Sequence, residues 1–231
     1  MKVCLVRPSS PVSAGSCSGI LTPSIGLAYI AAAIRDAGHE VSVVDGIGED
    51  PENEVLLENG MIMRGLSFVD IVERIPTDVD VVGFSGMFSF EWVNFRQLLG
   101  LIRERHEKAF IVAGDEHFTA AAEFSLNQCT AIDAIVLGEG EATIIEVLET
   151  LKNGETDLSN IPGLVIRKDG GSFQTPTHQR VKAIDDLPKP AWDLIPLEKY
   201  LSLGLSYGVN RGRSMPMLAS RGCPYQCTFC S

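Results

Sequence analysis

The chain has 231 residues, of which 45% are hydrophobic and 21% are charged, and its formal net charge is −11 at pH 7. This balance is typical of a globular protein, and the length allows one full domain and part of a second. The acidic charge argues against a nucleic acid as partner, because phosphate binding needs a basic face. Since neither a membrane span nor a secretory signal is recognisable, we expect a protein of the cytoplasm that binds no membrane.

Strand and helix signals alternate through residues 1–151. Strands are predicted at residues 2–6, 40–45, 80–85, 109–114 and 132–137, and helices at 24–37, 66–75, 90–105, 119–126 and 142–151. Residues 50–64 show no clear period and are interpreted as an irregular insertion. The alternation predicts an α/β fold, a Rossmann-like (flavodoxin-like) doubly wound sheet of five parallel strands with helices on both faces. Ligands of such sheets bind at the carboxyl ends of the strands.

The pattern changes after residue 151. Residues 163–168 and 172–175, joined by Asp169-Gly170-Gly171, predict a β-hairpin, and a proline-rich linker follows around residues 187–196. Residues 215–220 predict the first strand of another domain. We therefore divide the chain into a first domain at 1–151, a hairpin and linker at 152–213, and the start of a second domain at 214–231.

Three of the six cysteines lie within eight residues, Cys223, Cys227 and Cys230, with the spacing C-x3-C-x2-C. Thiolates are the preferred ligands of iron–sulfur clusters, and three thiolates leave one iron of a 4Fe–4S cluster open. A zinc site is one alternative, although zinc prefers four ligands in paired C-x2-C units. A redox pair of Cys227 and Cys230 is another, but it leaves Cys223 unexplained. Cys4, inside the first strand, is interpreted as a small buried hydrophobic residue.

The cysteine loop Arg221-Gly222-Cys223-Pro224, with Phe229 before the last cysteine, resembles the signature of the radical S-adenosylmethionine superfamily. The resemblance implies a partial (β/α) barrel after this loop. It also implies that S-adenosylmethionine binds the open iron, that its reductive cleavage gives a 5′-deoxyadenosyl radical, and that Phe229 lies beside the adenine. The sequence stops one residue after Cys230, so we expect the barrel to be incomplete and this chain alone to be inactive.

Three loops at strand ends were considered as ligand sites in the first domain. The loop after the first strand lacks the G-x-G-x-x-G of a dinucleotide site. A phospho-receiver domain needs an aspartate at the end of the third strand, where this chain has Gly83-Phe84-Ser85-Gly86. Phosphate is also disfavoured at Gly138-Glu139-Gly140-Glu141, because two carboxylates would repel it.

The same loops and the order of domains resemble radical S-adenosylmethionine enzymes with an N-terminal cobalamin-binding domain. The resemblance rests on Thr22–Gly26, on the loops after the third, fourth and fifth strands, and on the Pro-Ala-Trp-Asp-Leu-Ile-Pro linker at residues 190–196. It implies cofactor contacts at Ser85, Gly86, Met87, Gly114, Asp115, His117, Thr119, Gly138, Glu139 and Gly140. The glycines would let a large cofactor approach, and the hydroxyls of Ser85 and Thr119 would bond its tail or its amides. The alternative is that the glycines form turns, Ser85 ends a strand and Thr119 caps a helix.

Many cobalamin domains carry D-x-H-x-x-G after the first strand, and its histidine ligates cobalt, but residues 7–23 contain no histidine. A similar string at Asp115-Glu116-His117 follows the fourth strand, so we do not assign His117 to cobalt. His39 is expected to be structural, and His106 and His178 to be exposed.

The resemblance implies a small-molecule substrate, a reducing partner such as flavodoxin or ferredoxin, and methyl transfer to an unreactive carbon or phosphorus, or else a radical rearrangement or ring closure. Two rival functions remain open. One is a cobalamin-binding module without chemistry, and the other is a radical enzyme whose first domain has lost cobalamin.

Overall fold

The structure, a computed structural model, describes residues 1–13, 21–177, 184–205, 212–223, 225, 227 and 228. This part of the chain contains ten strands: β1 Lys2–Arg7, β2 Ser10–Ser13, β3 Glu40–Asp45, β4 Glu54–Leu56, β5 Met61–Arg64, β6 Val81–Ser85, β7 Phe110–Gly114, β8 Ala134–Val136, β9 Leu164–Lys168 and β10 Gly171–Gln174. It also contains seven α-helices: α1 Ile25–Asp36, α2 Phe68–Arg74, α3 Trp92–Arg105, α4 Glu116–Ala120, α5 Ala122–Gln128, α6 Glu141–Lys152 and α7 Leu197–Ser202. Within the described ranges, no helix is long and apolar enough to cross a membrane.

Five parallel strands form the centre of the fold in the order β8-β7-β6-β1-β3. Strand β1 pairs with β3 on one side and with β6 on the other, so the chain changes direction across the sheet at β1. This is the flavodoxin-like order, and its switch point lies between β1 and β6. The predicted fold class is confirmed.

Helices cover both faces of this sheet. Successive residues of β1 alternate between two cores, with Cys4 and Val6 in the core beneath α2, α3 and α5, and Val3 and Leu5 in the core beneath α1 and α6. A strand buried on both faces has a continuous apolar sequence, because neighbouring side chains point to opposite sides of the sheet. That is why residues 2–6 are recognisable as a strand from sequence alone.

The predicted hairpin continues the same sheet instead of standing apart. Strand β9 pairs antiparallel with β8, and β10 pairs antiparallel with β9, so the sheet has seven strands, two more than the predicted five. Pairing to β8 buries Leu164 and Ile166 in one core and Val165 in the other. Burial of both faces therefore ties the hairpin to the first domain.

Residues 50–64 are not irregular as predicted. Strands β4 and β5 form a hairpin, and β2 pairs with β5 to complete a separate three-stranded sheet. The partner strand β2 comes from the loop after β1, some 50 residues earlier in the sequence. Hydrophobic period is a local signal, so it does not detect such a distant pairing.

Other expectations need correction. Residues 215–220 are all described and form no strand, and no described strand pairs with them. The predicted helix at 119–126 is two helices, α4 and α5, joined at Ala121. Helix α6 begins after its N-cap Gly140 rather than at 142, and the Thr143 hydroxyl donates to the Pro162 carbonyl. His106 is buried rather than exposed, while His178 lies outside the described residues.

The linker is anchored to the first domain by Tyr200 of α7, whose side chain is completely buried. The Tyr200 hydroxyl donates to Asp45 Oδ2 at 2.7 Å and accepts from Arg7 Nη1 at 2.9 Å. Burial raises the pKa of Tyr200, so the hydroxyl keeps its proton and remains a donor. Farther back in the linker, the Ala191 amide donates to the Ala28 carbonyl of α1 at 2.9 Å.

Replacing Tyr200 should destabilise the fold through Asp45. Tyr200→Phe removes a hydrogen bond from a fully buried carboxylate, and we expect the free energy of unfolding to fall by about 1.5–3 kcal/mol. Urea denaturation measures this loss. Tyr225→Phe is the matched control, since Tyr225 is 77% exposed, and it should change stability by less than about 0.5 kcal/mol. Equal stability of the two variants would contradict the role of Tyr200.

Candidate functional site

A cavity of about 250 Å³ opens at the carboxyl edge of the sheet, beside the switch point between β1 and β6. It is lined by Arg7 at the end of β1, Ser85 at the end of β6, Asp115 after β7, and Ser24 at the start of α1. Four separate segments therefore meet where the fold class predicts a ligand.

Ser85 and Asp115 are paired across this cavity. The Ser85 hydroxyl donates to Asp115 Oδ2 at 2.7 Å. Asp115 Oδ1 accepts from the Glu116 amide, so the Asp115 side chain caps the start of α4. Asp115 has a φ of 88°, a left-handed conformation that costs free energy in a residue with a side chain. Burial raises the pKa of Asp115, although the hydrogen bond from Ser85 opposes the shift. The Ser85 hydroxyl is thus already engaged by the protein.

Glu91 is a second buried carboxyl group on the cavity wall, and only 4% of it is exposed. Burial raises the pKa of Glu91 to about 7, while a hydrogen bond from Ser10 and the charge of Arg7 lower it. Ser10 belongs to β2, so the small sheet supplies the partner of Glu91. Glu91 was not predicted, because a carboxylate before a helix is usually an exposed N-terminal residue.

Arg7 is the cationic member of the site. Its Nη1 donates to the Thr22 carbonyl at 2.8 Å and lies 3.6 Å from Asp45 Oδ1. Together with its bond to Tyr200, these contacts connect the cavity to the linker. The only signal in the sequence was the position of an arginine directly after a buried strand.

The glycines at the end of β7 and in the loops after β6 and β8 differ in how much free space surrounds them. Gly138 has a φ of +66°, and a Cβ there would meet no described atom within 4 Å. At Gly114 the nearest described atom to such a Cβ is 3.8 Å away, so both positions leave room for a ligand. A Cβ at Gly140 would lie 3.2 Å from Ile30 of α1. Gly86 is different, since its Cβ would lie 2.4 Å from the Phe118 ring, so packing of the core explains that glycine.

Two predicted contacts face the protein itself. His117 is buried, its Nδ1 and Nε2 lie 3.0 and 3.1 Å from the hydroxyls of Ser89 and Ser125, and burial lowers its pKa. The Thr119 hydroxyl accepts from the Gly138 amide at 3.0 Å and so supports the loop after β8 rather than capping a helix. Both side chains thus bond to the protein, and their contact with a cofactor stays a prediction.

The remaining predicted residues lie along the same edge or outside the description. Met87 is exposed and lines the cavity, and Glu139 is half-buried in the loop before α6. Phe229 and Cys230 are outside the described residues.

The four cysteines in the described part of the chain fall into two environments. Cys223 and Cys227 are exposed, whereas Cys4 and Cys129 are buried in the core. Burial raises the pKa of Cys4 to about 11 and also raises that of Cys129, so both remain neutral thiols at pH 7. The interpretation of Cys4 as a buried hydrophobic residue is confirmed. Cys223 and Cys227 are the thiols that a metal could reach.

The segment that leads to the cysteines lies against the same edge of the first domain. Arg221, two residues before Cys223, donates from Nη2 to Glu141 Oε1 at 2.6 Å. Glu141 is the first residue of α6 and directly follows the Gly138–Gly140 loop. Pro216 also lines the cavity. The segment that leads to the cysteines thus contacts the carboxyl edge at two places.

The family profile of the B12 binding domain matches residues 12–148. The chain belongs to the B12-binding domain family. An uncharacterized methyltransferase of Pyrococcus horikoshii is 32% identical over 232 residues, which cover 100% of this chain and 45% of that protein. The cytidylyl-2-hydroxyethylphosphonate methyltransferase of Streptomyces wedmorensis is 29% identical over 257 residues, covering 100% of this chain and 47% of that protein. The chain spans less than half the length of these two curated relatives.

The fold of this chain is shared with a solved enzyme. The radical S-adenosylmethionine methyltransferase TsrM from Kitasatospora setae, solved with cobalamin and a 4Fe–4S cluster bound, superposes with a TM-score of 0.57 at 19% identity. The match covers 82% of this chain and 31% of TsrM. This likeness shows that the two chains share a fold.

The raised pKa of Glu91 predicts a pH dependence of stability. Between about pH 4.5 and 7 the native state keeps a proton that the unfolded chain has lost, so stability should fall as pH rises through this window. In Glu91→Gln, the free energy of unfolding should fall over this pH range by up to about 3 kcal/mol less than it does in the wild type. Urea denaturation at pH 4.5, 6 and 7.5 measures the effect. Glu104→Gln is the control, because Glu104 is exposed near the other end of α3, and its stability should change with pH as that of the wild type does. The prediction is refuted if the stability of Glu91→Gln also changes with pH as in the wild type.

Proposed function

We propose that this chain holds cobalamin at the carboxyl edge of its sheet and a 4Fe–4S cluster on Cys223, Cys227 and Cys230. We further propose that it does so as part of a radical S-adenosylmethionine methyltransferase that acts on a small molecule. The observation that carries the proposal is the meeting of the glycine loops with the cysteine loop at one edge, through the contact of Arg221 with Glu141. Two cofactors that act on one substrate must lie close together.

The open glycines support the cobalamin site. Gly114 and Gly138 leave space for a large cofactor to approach the backbone, and the Thr119 hydroxyl holds Gly138 in place. The cavity of about 250 Å³ is smaller than a pocket for a drug-sized ligand, roughly 300–1,000 Å³. It would therefore receive only part of the cofactor, and the corrin would lie over the open edge. Asp115 and Met87, at the mouth of the cavity, would contact its amide groups and its apolar surface.

The exposed thiols support the cluster site. Cys223 and Cys227 are accessible, and the C-x3-C-x2-C spacing supplies three thiolates for four irons. Gly222, with a φ of +78°, turns the chain immediately before the first ligand.

When bound, the cluster with S-adenosylmethionine supplies a 5′-deoxyadenosyl radical and cobalamin supplies a methyl group, for transfer to an unactivated carbon or phosphorus. The residues of this chain hold and align the two cofactors. The buried Glu91 and the half-buried Asp115 hold protons beside the cavity more readily than exposed carboxyls do. A reductant of the flavodoxin or ferredoxin class is required, because the cluster must receive an electron. Methyl transfer is the activity for which the two curated relatives are named.

A bulky side chain at Gly138 should block the cobalamin site. We expect Gly138→Leu to weaken hydroxocobalamin binding at least about tenfold, because the new side chain would fill the space that the cofactor needs. Absorption titration of the purified chain measures the affinity.

The matched control is Gly154→Leu after α6, at the opposite edge of the sheet. Gly154 also has a positive φ, +78°, and no described atom near its Cβ, so the two variants carry similar backbone strain. Equal loss of affinity in both, or no corrin bands in the wild type, would refute the cobalamin site.

Removal of the three loop thiols should abolish iron binding. The triple variant Cys223→Ala, Cys227→Ala, Cys230→Ala should retain less than about a tenth of the iron and sulfide of the wild type after anaerobic reconstitution, because thiolates are the cluster ligands. Chemical analysis of iron and sulfide measures the loss. Cys129→Ala is the control, since this thiol is buried in the core, and it should bind iron normally. Unchanged iron in the triple variant would contradict the cluster assignment.

A further inference from the structure

The contact between Arg221 and the first domain is a shielded ion pair with an aromatic partner. The side chains of Arg221 and Glu141 are only 13% and 7% exposed, and their hydrogen bond is 2.6 Å long. The Arg221 guanidinium also lies 4.8 Å from the centre of the Tyr29 ring. Burial lowers the pKa of Arg221, but the hydrogen bond and charge of Glu141 raise it, with a net rise.

This geometry separates the pair from the ordinary surface ion pairs of the chain. Arg213 and Glu198 also form a hydrogen-bonded pair, but their side chains are 60% and 72% exposed. Exposed pairs contribute little, because water and salt screen them, whereas a short charge-assisted bond shielded by an aromatic ring is stronger. Arg221 should therefore hold its segment in place, and Arg213 should not.

Both partners of Arg221 belong to elements that are fixed in the first domain. Tyr29 lies on α1, and Glu141 begins α6, which packs against α1. The glycine before Glu141 permits this packing, since a Cβ at Gly140 would lie 3.2 Å from Ile30. The site that receives Arg221 is thus built from the two helices beside the predicted cobalamin loop.

Cys223 lies only two residues after Arg221, so a contact that holds Arg221 also restrains Cys223. Two peptide units span at most about 7.6 Å between Cα atoms, so Cys223 cannot move far from its place while Arg221 is bound. Reacting groups in two-cofactor chemistry need alignment to within a fraction of an ångström. A contact that holds the first cluster ligand beside the Gly138–Gly140 loop has a direct consequence for that alignment.

We propose that the contact of Arg221 with Glu141 and Tyr29 sets the distance between the cluster and cobalamin. Arg221, Glu141 and Tyr29 are then positioning residues rather than catalytic residues. This inference rests on the proposed function, because it needs both cofactors.

Limited proteolysis tests the anchoring without any cofactor. Trypsin cleaves the Arg221–Gly222 bond only when Arg221 leaves its site, and the exposed Arg213–Ser214 bond is an internal reference. We expect Glu141→Gln to speed cleavage at Arg221 about tenfold relative to the reference, since cleavage follows the population of the open state. Tyr29→Leu should act in the same direction. Glu198→Gln is the matched control. Because it frees the reference residue Arg213, its cleavage at Arg221 is compared directly with that of the wild type, and the two rates should agree within about twofold. An unchanged rate in Glu141→Gln overturns the anchoring.

Pulsed dipolar electron paramagnetic resonance tests the positioning in the chain loaded with both cofactors. The probes are cobalamin in its Co(II) state and the reduced 4Fe–4S cluster, both of which are paramagnetic. We expect one narrow distance distribution in the wild type and in Glu198→Gln, and at least a doubling of its width in Glu141→Gln. Arg221→Lys, which keeps the charge but not the planar fork, should give an intermediate width.

The outcomes separate the two proposals. Equal cobalt and iron contents in all variants, with a broadened distribution only in the Arg221 and Glu141 variants, support the positioning role. Full loading with an unchanged width overturns that role and leaves the proposed function intact. A wild-type chain that takes up neither cofactor refutes the proposed function, and the positioning role with it.

Discussion

Burial of strand β1 on both faces is the constraint on which the rest of this structure depends. The side chains of β1 pack into both hydrophobic cores. Because β1 pairs with β3 on one side and with β6 on the other, the chain changes direction across the sheet at this strand. That change leaves a cleft at the carboxyl edge. Arg7, the last residue of β1, enters the cleft and meets Asp45 and Tyr200. The position of the site is therefore a consequence of how the sheet is packed.

The edge is held together by groups from distant parts of the chain. Ser10 of the small sheet binds Glu91, Ser85 binds Asp115, and Tyr200 of the linker binds Asp45. Each bond satisfies a carboxyl group that would be costly to bury alone. The small sheet and the linker are thus parts of the site and not independent additions to the domain.

The segment that leads to the cysteines contacts the first domain at this edge. Arg221 binds Glu141, and Pro216 lines the cavity, so the segment before Cys223 contacts the region that matches the B12 binding domain, residues 12–148. A methyltransferase that combines two cofactors needs such proximity. The ion pair supplies a specific and testable means of maintaining it.

Sequence alone was sufficient for the features that depend on local pattern. The first strand was recognisable from the continuous apolar run of residues 2–6. The three cysteines were recognisable from their spacing, and Gly138 from the glycine-rich loop in which it turns the chain. Only the tertiary structure decided which side chains face the cleft. It placed His117 in the core, used the Thr119 hydroxyl to hold Gly138, and brought Glu91, Arg7 and Tyr200 together. These contacts join residues up to 193 positions apart, and side-chain direction at such a distance is set by packing, which no local pattern records.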